Sequence, residues 1–234
     1  MFAACAIVVI AAAACSSSSE RTVTVVAASS LQSALDDIAA DWTSETGIDV
    51  NISYAGSQTL AAQLRDGFPA DVAIVAGARI VVELSSGGSL AGEPVEFALN
   101  EVVLAFADGV EPVSVADLAG AGLIITLADP AVPLGDYTAL AFANAGIDPR
   151  SIEAASLETS AAAVVTRLRT GDADAAVIYA TDGAEFASSP LGGQLATYTA
   201  ASIAGTSDEG ADFVDYLASQ AVRDRLLAGG FIVP

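Results

Sequence analysis

Three features of the chain predict an α/β protein made of two similar units. Strand-length apolar runs alternate with segments of helical spacing, the alternation restarts near residue 100, and a C-terminal amphipathic stretch follows a last strand-like segment. In order, Val23 to Ala28 reads as a strand, and Leu31, Leu35, Ile38, Ala39 and Trp42 then recur at helical spacing, with Asp36, Asp37 and Asp41 on the opposite side. Gly47 stops that helix. IDVNISYAG reads as an alternating strand, SQTLAAQLRDG as a short helix and ADVAIVAG as a strongly apolar strand, followed by a helix near Ile80 to Ser85. Such alternation implies a parallel sheet covered on both faces.

A long apolar stretch, Val95 to Phe106, crosses a boundary into the second unit. There SVADLA reads as a short helix, GLIITLADP as a strand ending in a turn, and YTALAFANAG as a helix stopped by Gly146. SAAAVVTRLRTG is another helix, ADAAVIYA another strand, and DGAEFAS the start of one more. QLATYTAASIAG then returns the chain to the first unit, where the segment from Asp208 onward supplies a closing helix pair with Phe213, Leu217, Val222 and Leu226 on its apolar face. The first unit is therefore discontinuous.

Charge narrows the function. The 29 acidic residues against 8 arginines and no lysine give a formal charge of −21, which makes nucleic acid a poor partner, since phosphate backbones are held by clustered cations. Any bound anion must be held by local groups against the field of the whole molecule. The absence of histidine removes the commonest proton shuttle and metal ligand. Both cysteines, Cys5 and Cys15, lie in MFAACAIVVIAAAACSSSS. Its apolar part has the length of a secretory segment rather than a bilayer span. A cysteine after four alanines and before four serines resembles a lipoprotein box, with Cys15 lipidated; the alternative is a plain signal peptide and a serine tether.

Three strand-to-loop transitions place small neutral donors where open α/β sheets bind ligands: AASSL at 27–31, YAGSQTL at 54–60 and VIYATDG at 177–183. Each has a plainer explanation. Ser30 and Ser57 suit helix caps, Tyr179 suits the edge of a core, and ADPAVPLGDY at 128–137 suits a turn-rich loop. A serine hydrolase requires a neighbouring base and commonly a G-x-S-x-G elbow, and the sequence has no such elbow. Asp71, Asp129 and Asp182, near strand ends, read as caps and turn formers. No catalytic residue and no protein-ligated metal is expected.

Four stretches together resemble the periplasmic molybdate-binding proteins, the solute receptors of ABC-type molybdate importers: VVAASSLQSALDDIAADW, VNISYAGSQTLAAQLRDGFPADVAIVA, ADPAVPLGDYTALAFANAG and RLRTGDADAAVIYATDGA. The resemblance covers roughly Val23 to Pro234. It implies a two-lobed periplasmic-binding-protein-like fold of type II, each lobe a mostly parallel sheet flanked by helices. It further implies a tetrahedral dianion, molybdate or tungstate, held between the lobes by neutral donors and no cofactor. Carried onto this chain, the donors are Ser30 and Ser57 from the first lobe, and the amides of Leu134 and Ala161 and the hydroxyl of Tyr179 from the second. Two departures stand out. DPAVPLG is one residue shorter than the family form, with Leu134 in place of a small alanine, and Ala161-Ala162 replaces a common Val-Arg pair.

The implied organisation is a signal peptide over 1–14, a lipid-anchored tether over 15–22, a first lobe over 23–97 and 202–234, and a second lobe over 98–201, hinged near 97–99 and 198–202. The implied setting is extracytoplasmic, as a monomer delivering to a membrane permease. Competing readings are a receptor for sulfate or another oxyanion, a small α/β hydrolytic enzyme, and an adhesive surface lipoprotein.

Overall fold

The structure, a computed structural model, describes residues 21–234. The expected signal segment and Cys15 lie outside the described residues. The first strand, β1 (Thr22–Ala28), begins one residue inside the stretch assigned to the tether. It is followed by a 3-10 turn over Ser29–Leu31, α1 (Gln32–Thr46), β2 (Asp49–Ala55), α2 (Ser57–Arg65), β3 (Val72–Ala76) and α3 (Ala78–Ser86). Strand β4 (Leu90–Phe106) leads to β5 (Ile125–Ala128), α4 (Pro133–Asn144), β6 (Ser156–Glu158), α5 (Ala161–Thr170) and β7 (Ala175–Tyr179). The chain ends with β8 (Ala187–Ile203), α6 (Asp208–Leu217) and α7 (Gln220–Ala228).

The local signals explain these elements. On α1, Leu35, Ile38, Ala39 and Trp42 are buried, and Gly47 adopts φ 69° while its amide donates to the Thr43 carbonyl. Every residue of β3 and β7 is buried, as expected of strands covered on both faces, whereas the edge strand β2 alternates. Four details differ from the sequence reading. SVADLA yields only turns and a 3-10 segment over Leu118–Gly120, too short to offset helix nucleation. The three-residue β6 carries too short a pattern to register. Helix α4 starts at Pro133, so VPLG is its first turn rather than a loop, because proline's fixed φ suits that position. After β7 the chain turns through a 3-10 segment over Ala180–Gly183 before β8 begins at Ala187.

One eight-stranded sheet runs in the order β2-β1-β3-β8-β4-β7-β5-β6. Strands β1, β2 and β3 are mutually parallel, as are β5, β6 and β7, while the 17-residue strands β4 and β8 join the two groups as an antiparallel pair. The cores divide along these long strands. Phe97 and Ala98 of β4, with Tyr198 and Ala200 of β8, pack into the first core; Val102 to Phe106, with Leu191 and Ala196, pack into the second. Register shifts in the pair between Glu96 and Ala98 and between Glu101 and Val103 fall at this changeover. The closing helices return to the first core, where Trp42 meets Phe213 edge-on at 5.6 Å and Tyr216 at 5.1 Å.

Asp71 ties that return into place. Its carboxylate accepts from the Thr24 amide at 2.8 Å and from the Thr206 and Ser207 hydroxyls at 3.3 Å, joining β1 to the start of α6. Asp71→Ala is expected to cost about 1–3 kcal/mol in urea unfolding, since it strips an acceptor from several donors at once; a loss below ~0.5 kcal/mol would show the anchor to be dispensable.

Candidate oxyanion site

Four helical segments start at the carboxyl ends of parallel strands and point their first turns at one place. They are the 3-10 turn after β1, α2 after β2, α4 after β5 and α5 after β6. The opening amides of a helix lack intrahelical acceptors and carry its positive dipole end, so the convergence creates a focus for negative charge. At that focus is a cavity of about 20 Å³. It holds only a compact group, since a single water takes ~10–15 Å³ of such volume.

Ser30, Ser57, Leu134, Ala161 and Tyr179, the five residues predicted from sequence, all line this cavity. Neither serine acts as a cap, which corrects the plainer reading. Gly56 occupies the cap position of α2, and Ser57, 2% exposed, accepts a hydrogen bond from the Ala76 amide at 2.9 Å. With its oxygen engaged as acceptor, the Ser57 hydroxyl is left as a donor. Ser30 Oγ lies 3.0 Å from the Tyr198 hydroxyl, across 168 residues of sequence.

The second-half donors are set by different means. Val132 caps α4 without a side-chain bond and Pro133 has no N–H, so the Leu134 amide is the first available there. The Leu134 side chain is fully buried in the second core, which explains how a bulky residue fits at a backbone-donor position. Gly135 is obligatory: a Cβ would fall 2.1 Å from the Asp129 carbonyl oxygen. Ser160 caps α5 by accepting from the Ala163 amide at 3.1 Å, leaving the Ala161 amide at the helix mouth. Tyr179 ends β7 and meets Tyr198 edge-on at 6.0 Å. Burial, with Tyr198, Tyr137 and the Asp182 and Asp136 carboxylates nearby, pushes its hydroxyl well above the usual tyrosine range, so it stays a proton donor at neutral pH.

Sequence reading missed the support behind Ser30. Asn100, fully buried beside Tyr198, donates to Thr181 Oγ1 at 2.7 Å. The available signal was a lone asparagine within the apolar run of β4; nothing in the sequence marks Tyr198.

No Asp, Glu or Arg lines the small cavity. A much larger neighbouring cavity, about 820 Å³, shares Ser29 and Ser30 but carries Asp36, Asp37, Asp182 and Glu185. Its two arginines are engaged: Arg169 with Glu185 at 2.6 Å and Arg225 with Asp41 and Asp37. That lining repels anions, whereas the smaller space is lined by no charged side chain. No group of three or more His, Cys, Asp or Glu among the described residues is placed to hold a metal ion.

Asp129 acts as expected, accepting from the Ala131 amide at 2.8 Å in a turn, whereas Asp71 is no local cap or turn former but the long-range anchor described above. Asp182 differs. It makes no side-chain hydrogen bond among the described residues, and burial, reinforced by Glu185 and opposed by Arg169, pushes its carboxyl up to about 7. The native state thus holds a proton that the unfolded chain releases near its ordinary value of 3.8. Stability therefore falls as pH rises from about 4 to 7 and levels off above. Asp182→Asn removes that penalty and is expected to stabilise the protein by about 1–4 kcal/mol at pH 8 but little at pH 4; equal effects at both pH values in urea unfolding would refute the assignment. Gly135→Ala is expected to displace the Leu134 amide and destabilise the protein by about 1–3 kcal/mol. An unchanged melting temperature would show that the turn tolerates the Cβ.

The chain is similar to several known proteins. Molybdate-binding protein ModA of Mycobacterium tuberculosis, strain H37Rv, and its counterpart from Mycobacterium bovis are 35% identical over 158 residues, 66% of this chain and 59% of theirs. The match thus spans under two thirds of those relatives' length. The Azotobacter vinelandii periplasmic molybdate-binding protein superposes with a TM-score of 0.79 at 20% identity, covering 91% of this chain and 99% of that one. The sulfate-binding protein SubI of M. tuberculosis H37Rv gives 0.73 at 14% identity, over 90% and 86%. These likenesses establish the two-lobed fold of periplasmic binding proteins. The pattern of one family, described as bacterial extracellular solute-binding protein, matches residues 23–232, and this chain belongs to that family.

Proposed function

We propose that the protein is an extracytoplasmic receptor that binds molybdate, with tungstate as an equivalent ligand, and delivers it to an ABC importer. The observation that carries this reading is a compact cavity lined by neutral residues at four converging helix starts, with two serine hydroxyls and a tyrosine among them. The curated relatives that match this chain bear the name molybdate-binding protein.

A charge-assisted hydrogen bond contributes about 1.5–3 kcal/mol. Roughly seven can offset the dehydration of a dianion and leave the −8 to −12 kcal/mol of micromolar to nanomolar binding. No cationic side chain is needed. A lining of donors also favours fully deprotonated oxyanions: hydrogen phosphate carries a proton that requires an acceptor, and no carboxylate lines the cavity.

In this reading the lobes, 23–97 with 202–234 and 98–201, close over the ion about the β4–β8 crossing, where the two cores change over. Contacts available only when both lobes meet drive the closure. In this reading the protein acts as a receptor: the Ser57 oxygen accepts from the Ala76 amide, and the lining among the described residues is neutral. A lipid on Cys15 would hold the receptor at the outer membrane face beside its permease; among the described residues no helix is long and apolar enough to cross a membrane.

Sulfate is the second reading, favoured by the likeness to SubI. Calorimetric titration of the ligand-stripped protein at pH 7.5 decides between them. Molybdate is expected to bind one-to-one at micromolar affinity or tighter, with sulfate about a hundredfold weaker, a difference of ~2.8 kcal/mol. Equal or stronger sulfate binding would reassign the receptor, and no heat with any oxyanion would end the reading.

A further inference from the structure

Two side-chain contacts bridge the halves on either side of the cavity without lining it. Arg79, in the first turn of α3, donates from Nε to Asp136 Oδ2 at 3.0 Å, from Nη2 to the same oxygen at 2.9 Å, and to the Ala131 carbonyl at 3.2 Å. Asp136 sits in the first turn of α4, two residues after Leu134. Next to the other pair of helix starts, Gln58 of α2 donates from Nε2 to the Thr159 carbonyl at 2.9 Å, two residues before Ala161. A Cβ on Gly56, which lines the cavity, would fall 2.8 Å from the Gln58 amide, so that amide lies against the cavity wall. Its Oε1 is buried without a partner among the described residues, a cost that the cross-lobe bond must offset.

We propose that Arg79 with Asp136, and Gln58 with Thr159, are two clasps that hold the lobes shut over the cavity and set how fast a bound ion leaves. The proposal rests on the receptor reading. Its logic is positional: each clasp joins the helix start that donates from one lobe, or its immediate neighbour, to the one that donates from the other, so opening the cleft breaks both. Arg79 and Asp136 are each about half exposed. The clasp is therefore weak enough to open on a transport timescale, and its effect falls on release rather than on encounter. Asp136 also places a negative charge beside an anion site. A clasp and a mere repeller consequently predict opposite effects of removing it.

The test uses Arg79→Ala, Asp136→Asn, their combination, and Gln58→Ala. Protein loaded with molybdate is chased with excess tungstate, and bound molybdenum is followed by mass spectrometry. Small-angle scattering records the radius of gyration of each ligand-free variant. Arg79→Ala and Asp136→Asn are each expected to speed release about two- to fivefold, with association unchanged within about twofold. The double variant should release no faster than either single one, because both break the same clasp. Gln58→Ala should multiply the effect, and the ligand-free variants should scatter as larger particles. Slower release in Asp136→Asn would show a repeller and overturn the proposal, as would unchanged release in both single variants. If the wild-type protein binds no oxyanion, the receptor reading fails by itself. Scattering then decides the clasps: larger variants support them, and unchanged size overturns them.

Discussion

Backbone amides at the start of a helix have no partner within it, and burying them without one is costly. This constraint organises the molecule. The parallel strands of the two halves run in opposite directions and deliver the chain from either side to the gap between the halves, where four helical segments begin around one small space. Serine caps could have silenced those amides. At α5 the Ser160 cap takes up only the Ala163 amide, and Ser207 and Ser219 cap α6 and α7 away from the cavity. At the 3-10 turn, α2 and α4 no side chain caps, and a ligand has room to serve as the missing acceptor.

The central strand pair makes the convergence possible. Strands β4 and β8 pass through both halves, so two separately packed cores face each other across two covalent crossings. The same pair carries Asn100 and Tyr198, which orient Ser30 from beneath. The site is thus supported at the changeover between cores, the place where relative motion of the halves would be felt first.

Electrostatics act by exclusion. The chain is strongly acidic, and the described arginines that line the large cleft or bridge the halves are paired with carboxylates. The cavity itself is neutral, so the attraction it offers comes from oriented dipoles. Asp182, held partly protonated near neutral pH, limits the negative charge next to Tyr179 and Tyr198.

Much was legible in the sequence because periodicity is local. The apolar spacing of α1, the continuous apolarity of β3 and β7, and the stop at Gly47 follow from steric and solvation rules acting over a few residues. The five residues on the cavity wall were marked by family resemblance, and Ser30, Ser57 and Tyr179 also by their place at strand ends. What tertiary structure alone decided was where each polar atom points. Ser57 turns to the Ala76 amide and Ser30 to Tyr198, rather than capping their helices, and Leu134 buries its side chain in the second core while the residue also lines the cavity. Those directions depend on partners 19 and 168 residues away. A serine before a helix reads the same whether its hydroxyl caps or binds, until packing brings its partner within reach.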